Sequence, residues 1–188
     1  MDKTTLRFYL GLGFTKFCVG TIEQAKIIKS ISLNFEVIGS ISMKITKEKL
    51  NKNPDYFKYF DGFVLFFPFN RNLNKIKNLP KNFKYVLLVN CDCNIRCPGE
   101  QHWFASKENE LIGNVNCPND FYTNNIADWS EIIRIRPMDL PIFDDYISYY
   151  KIRGREFPTS TIFMTLCTYM ADYSFYPGIV YDEKLYQN

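Results

Sequence analysis

The sequence is short of several things, and each shortage removes a class of protein. It has one histidine, His102, among 188 residues. A fold or mechanism built on several imidazoles is excluded. No apolar run approaches the roughly 18 residues of a membrane span, and no membrane partner is expected. Residues 1–16 mix charge and polarity and lack a cleavable signal pattern, so the expected location is cytoplasmic. Repeats and low-complexity linkers are lacking, which argues against solenoids and multidomain strings. Charge of one sign is not in large excess either. Twenty-three Lys and Arg face 20 Asp and Glu, for a net charge of +3. That mildly basic balance does not by itself establish a nucleic-acid partner.

What is present is core material. Hydrophobic residues make up 46% and aromatics 17% of the chain, with 23% charged. Such a composition buries a core and excludes disorder. The length fits one domain, residues 1–188. Six cysteines without a signal point away from a disulfide framework and toward metal binding, redox chemistry or simple burial.

The apolar pattern alternates between strand-like and helix-like segments. Residues 6–12 read as a first strand bounded by Gly11 and Gly13. Residues 17–20 read as a strand end or loop. Thr21 reads as a helix N-cap, with Ile22, Ala25, Ile27, Ile28 and Ile31 forming the stripe behind it. A strand is expected over 36–45, and Pro54 splits 46–60 into two short helices. The nearly continuous apolar runs 62–68 and 85–89 read as strands covered on both faces. A short helix over 72–79 separates them. Residues 132–136 read as the last strand, followed by helices over 140–149 and 159–173. Cys18 and Cys167 are expected to be buried as small hydrophobes.

Covered strands alternating with helices indicate an α/β fold with a parallel sheet. Chemistry in such folds sits at the carboxyl ends of strands. That rule selects Asn70 and Arg71, then Asn90 to Cys93, then Arg136 to Asp139. Asn70, Arg71, Asn90, Arg136 and Arg155 are the candidate substrate-binding residues. Asp139 is also a candidate partner for Arg134 or Arg136. Lys151 and Arg155 flank Gly154, where a glycine between cations lets backbone approach an anion. Lys151, Arg155 and Asp139 are the catalytic candidates.

The densest chemistry is Asn90-Cys91-Asp92-Cys93-Asn94-Ile95-Arg96-Cys97, followed by His102 and later Cys117. Thiolates and imidazole hold zinc or iron–sulfur clusters. The start resembles a radical-SAM motif, but Glu100 stands where the third cysteine is required, and that reading is rejected. Cys93, Cys97, His102 and Cys117 form a candidate metal set, with Cys91 as a further ligand. The spacing matches no common zinc finger. Buried thiols, or an aromatic patch of His102 with Trp103 and Phe104, are the bland alternatives. A Cys–His nucleophile pair is a third.

Three segments together resemble short barrel proteins related to peptidase family U-32, the collagenase-like proteases. They are Asn90 with Cys93-x3-Cys97-Pro98-x3-His102, Tyr150-Lys-Ile-Arg-Gly-Arg155, and the strand-like stretches around Ile38 and Val64 with Asn70-Arg71. The resemblance covers roughly residues 19–173. It implies a TIM-like (β/α) barrel. It also implies iron–sulfur proteins that hydroxylate tRNA, rRNA or a small precursor without oxygen, rather than convincing proteases. In that family, cysteines near the end of the barrel hold a four-iron–four-sulfur (4Fe-4S) cluster; here zinc is the alternative.

A full eight-unit barrel takes about 250 residues. Five to six strands are countable here. The expectation is therefore a partial barrel, its C-terminal part, lacking the first βα units and open to completion by a second copy or a partner chain. Its expected partners are tRNA, rRNA or a small anionic substrate. A peptidase-like hydrolase and a non-catalytic RNA- or protein-binding module are the competing functions.

Overall fold

The computed structural model describes residues 3–66, 69–70, 72–91, 134–153 and 158–171. Helix α1 (Lys3–Gly11) leads into strand β1 (Lys16–Val19), helix α2 (Ile22–Ile31) and strand β2 (Glu36–Gly39). Short helices α3 (Lys47–Lys52) and α4 (Pro54–Phe57) precede strand β3 (Gly62–Val64). Helix α5 (Leu73–Lys77) and strand β4 (Lys84–Leu88) follow, then strand β5 (Tyr149–Lys151) and helix α6 (Thr159–Met170). The strands form one sheet in the order β1-β2-β3-β4-β5, every neighbouring pair parallel. The sheet curls through 188°, a half-barrel.

Strand residues alternate between two faces. Val37, Phe63, Leu65, Tyr85, Leu87 and Val89 point to the helical side. There they join Ile22, Ala25 and Ile28 of α2, Leu50 of α3, Phe57 of α4 and Leu73 and Ile76 of α5 in the main core. Ile38, Val64 and Val86 point the other way and form a second, smaller cluster. That second face is the concave one. Side chains from the two terminal strands meet across it, with Lys16 Nζ 3.2 Å from the Tyr149 hydroxyl.

Local sequence explains most of the boundaries. Thr21 caps α2, its side chain accepting from the Gln24 amide, while Gln24 Oε1 accepts from the Gly20 amide. These reciprocal bonds satisfy donors that the first helical turn leaves open. Thr46 caps α3 in the same way, and Pro54 opens α4. Asp61 knits the sheet's centre. Its carboxylate takes the Lys29 ammonium at 2.7 Å and the Val37 amide at 2.7 Å. Its main chain bonds Val37 on one side and Lys84 on the other.

Several sequence expectations need correction. Residues 6–11 belong to a helix, α1, and Leu12 follows it in a turn. Its Leu6 is fully buried and Leu10 four residues on packs against the core, whereas Phe8 and Tyr9 are exposed. That spacing is helical, not alternating. Residues 17–20 instead hold most of the true first strand. The strand expected over 36–45 stops at Gly39, because Ser40 caps a 3-10 turn over Ile41–Met43. Residues 134–136 are extended but lie outside the sheet, tied to it by the Ile135 amide on the Val89 carbonyl. The fifth strand is Tyr149–Lys151, where a helix end was expected. In place of a helix over 140–149 there is a 3-10 segment, Pro137–Ile142, interrupted by Pro141. Cys18 and Cys167 are exposed rather than buried. Cys18 lies on the inner face of an edge strand, and α6 turns Ile162, Thr165 and Tyr169 inward instead of Cys167.

The amino end of the concave face carries a four-residue polar cluster. Glu36 Oε2 lies 3.1 Å from Lys84 Nζ, 3.6 Å from Lys16 Nζ and 3.4 Å from the Tyr149 hydroxyl. Burial pushes the Glu36 carboxyl up, but the hydrogen bonds from Lys84 and Tyr149 and the two lysine charges outweigh it and hold the group below its usual range. A carboxylate lowered in the fold contributes stability above its unfolded value, and that contribution vanishes as pH falls through the folded value. Glu36→Gln is therefore expected to lower the thermal midpoint at neutral pH. The gap to wild type should close as pH drops below the ordinary value of 4.5. A gap that persists unchanged into strong acid contradicts this.

Gly62 is set by close approach. A Cβ there would run into the Lys84 main-chain carbonyl across the β3–β4 pair. A side chain meeting backbone cannot be relieved by a rotamer change, so Gly62→Ala should cost about 2 kcal/mol. Gly11, with open space at its Cβ position, is the control. Chemical denaturation of the two variants should separate them clearly.

Candidate functional site

The carboxyl ends of β3, β4 and β5 gather the polar residues that the sequence places there. Asn70 is fully buried, and its amide donates to the Leu88 carbonyl. Asn90 Nδ2 donates to the Arg153 carbonyl at 2.9 Å, and the Arg153 amide donates back to Asn90 Oδ1 at 2.7 Å. One side-chain amide thus imitates a strand neighbour and extends the β4–β5 ladder past its last regular pair. The Val89 amide donates to the Lys151 carbonyl, and the Val89 carbonyl accepts from Ile135. The Tyr169 hydroxyl donates between two carbonyls, Val89 at 3.0 Å and Ile135 at 2.9 Å.

Charge is concentrated at the same end. Asp139 is fully buried and lies against Arg136, with Nε–Oδ2 2.6 Å and Nη2–Oδ1 2.9 Å. This fork-to-fork pairing satisfies both oxygens in a site with little water. It arises locally, because the 3-10 turn places residues three apart on one side. Asp139 is thus Arg136's partner. Arg153 Nη1 lies 3.6 Å from Cys91 Sγ, and Cys91 is fully buried. Lys151 is exposed at the end of β5 and its charge acts on Cys18 of β1. The protein packed around Cys18 pushes that thiol up, and Lys151 opposes the shift without overcoming it.

Of the sequence candidates, Asn70, Asn90, Cys91, Arg136, Asp139 and Lys151 therefore lie near or on one edge of the sheet. Asn70 and Asn90 spend amide donors on main chain, which makes them the braces of that edge. Arg71, Cys93, Cys97, His102, Cys117 and Arg155 lie outside the described residues. The hydrolase reading, which needs Cys93 or Cys97 with His102, lies outside them too. Among the described residues no group of three or more His, Cys, Asp or Glu forms a metal-binding set. Cys91 has a guanidinium at its sulfur. The other residues of its candidate ligand set, Cys93, Cys97, His102 and Cys117, lie outside the described residues.

Sequence reasoning missed Arg153 and Tyr169. Reading 149–153 as a strand would have found the first, since Tyr149, Lys151 and Arg153 then share one face. Nothing in the sequence marks Tyr169 apart from other aromatics. No helix of the described residues is long and apolar enough to cross a membrane.

The buried pair offers a direct test. Arg136→Met leaves the Asp139 carboxylate buried without its fork. Removing one partner of a buried pair costs 3–5 kcal/mol, and the partial exposure of Arg136 favours the lower end, about 3 kcal/mol. Urea denaturation of Arg136→Met beside the double variant Arg136→Met/Asp139→Leu checks it. The double variant should regain much of the loss, because it removes the stranded charge.

Comparison with protein-family models, with curated proteins and with solved structures gives no match.

Proposed function

We propose that this chain is a U-32-like barrel protein that binds an anionic substrate at the carboxyl edge of its sheet and takes part in modifying RNA or a small molecule. The favoured reaction class is oxygen-independent hydroxylation. The observation that carries the reading is the convergence of Lys151, Arg153 and the Arg136–Asp139 pair on the carboxyl ends of a parallel half-barrel. That is the end where such folds build their sites. Lys151 supplies an exposed cation for a phosphate or carboxylate. The Asn90 brace fixes the main chain beside it, so ordering that segment costs binding little.

A metal centre belongs to this reading. Cys93, Cys97, Cys117 and His102 are the residues that would hold it, as a 4Fe-4S cluster or as zinc. A cluster would supply one-electron chemistry. Cys91, whose sulfur lies 3.6 Å from Arg153 Nη1, would be a further ligand.

A second reading has its own observation. β1 and β5, the terminal strands of the half-turn, are largely exposed, whereas β2 to β4 are buried. A sheet with accessible ends suits strand addition by a partner chain or docking of RNA without catalysis.

Anaerobic purification followed by iron, sulfide and zinc analysis tests the proposal. The expected outcome is brown protein with iron and acid-labile sulfide in about equal amounts, both lost in Cys93→Ser and Cys97→Ser. Stoichiometric zinc without iron would remove the cluster and keep the metal centre. Colourless, metal-free protein whose stability is unchanged in Cys93→Ser would remove both. Salt-dependent tRNA binding by such protein would then favour the second reading.

A further inference from the structure

Helix α5 stands between two clefts of different charge. On one side Lys77 and Lys81 share a cleft with Asp144 and Asp145, so its charge is balanced. On the other side, toward the first turn of α3, a cleft of about 720 Å³ is lined by Lys47, Phe66, Asn74 and Lys75 among others. That size falls within the range of ligand pockets, roughly 300–1,000 Å³. Lys47, Asn74 and Lys75 are exposed, and Phe66 is half-buried. Lys44 joins them, its ammonium 5.3 Å from the centre of the Phe66 ring. Glu48 is the one acid among the described lining residues. Its carboxylate accepts from its own main-chain amide and from the Thr46 hydroxyl. Residues 62–91, which supply α5 and Phe66, contain no Asp or Glu.

We infer that this cleft holds a segment of single-stranded nucleic acid, with Lys44, Lys47 and Lys75 on its phosphates and a base against Phe66. Charge complementarity selects a polyanion, because three cations and one engaged acid surround a concave surface that focuses their field. Phe66 selects among polyanions. An aromatic ring set beside cations stacks on a base, whereas a run of carboxylates offers it nothing. A duplex keeps its bases stacked inside, so the strand is single. The cleft stands apart from the carboxyl-edge site around Lys151, and the inference needs no metal centre.

Fluorescence anisotropy of a labelled oligouridylate with the full chain tests it. Lys47→Gln/Lys75→Gln should weaken binding at least tenfold at low salt and reduce the slope of log K against log salt by about 1.4, the loss of two phosphate contacts. Lys77→Gln/Lys81→Gln removes the same charge from the balanced cleft and should change affinity by about twofold at most. Phe66→Leu should weaken binding about fivefold with the slope unchanged. Circular dichroism of each variant should match wild type. Wild type that binds no oligouridylate at low salt overturns the inference. So does an equal loss in the two lysine pairs, an unchanged Phe66→Leu, or displacement of the strand by polyglutamate or inorganic phosphate at matched charge. Binding kept in Lys47→Gln/Lys75→Gln but lost in Lys151→Gln overturns it too, and leaves the proposed function standing.

Discussion

The structure depends on one carboxylate in a particular place. Glu36 stands at the amino end of the concave face and draws Lys84, Lys16 and Tyr149 to itself, residues from strands on both sides of β2. A five-stranded parallel sheet has no covalent reason to curl through a half-turn. Twist between neighbours starts the curl, and side chains meeting across the hollow fix its amount. Removing charge from Glu36 leaves two lysines facing each other with the neutral tyrosine between them. The carboxyl edge, where β3, β4 and β5 bring their polar residues together, lies at the opposite end of the same strands.

The two ends of the sheet solve different problems. At the amino end the polar groups are exposed lysines around a shared acid, and solvent screens them. At the carboxyl end the buried Asn70, Asn90 and Asp139 lean on main chain or on a forked partner: Asn70 on Leu88, Asn90 on Arg153, Asp139 on Arg136. Buried polar networks are favourable only when their members are satisfied. The rigidity gained this way suits an edge proposed to hold a substrate. It also explains why asparagines at strand ends are poor guides to direct ligand contact, since the amide that looks available in the sequence is the group that holds the edge together.

The fold was legible where a side chain had one dominant role. Thr21 before an isoleucine stripe read as a cap, Pro54 as a break, and the apolar runs at Val64 and Leu87 as covered strands. The edge strands were not legible. Tyr149 to Lys151 is polar on its concave side and flanked by helix-like tyrosine spacing, while Leu6 to Leu10 is apolar and aromatic in a way that mimics a strand. Edge strands carry less apolar signal because they are covered less. Ile135 gave the opposite error: it belongs to an apolar alternation in the sequence, yet among the described residues 134–136 lie beside the sheet, with the Ile135 amide on the Val89 carbonyl. At the candidate site, residue types at strand ends located Asn90, Arg136 and Asp139. The cation that faces Cys91 was hidden behind the misread fifth strand.

Tyr169 gives α6 a double allegiance. Its hydroxyl clasps the carbonyls of Val89 and Ile135 at the tip of β4, while Met170, the next residue, faces water at 80% exposure. The two are about 100° apart on the helix. Rotation of α6 about its axis that draws Met170 inward must therefore withdraw the phenol from the strand tip. One residue step along the helix thus separates a clasp on the strand tip from a side chain in water.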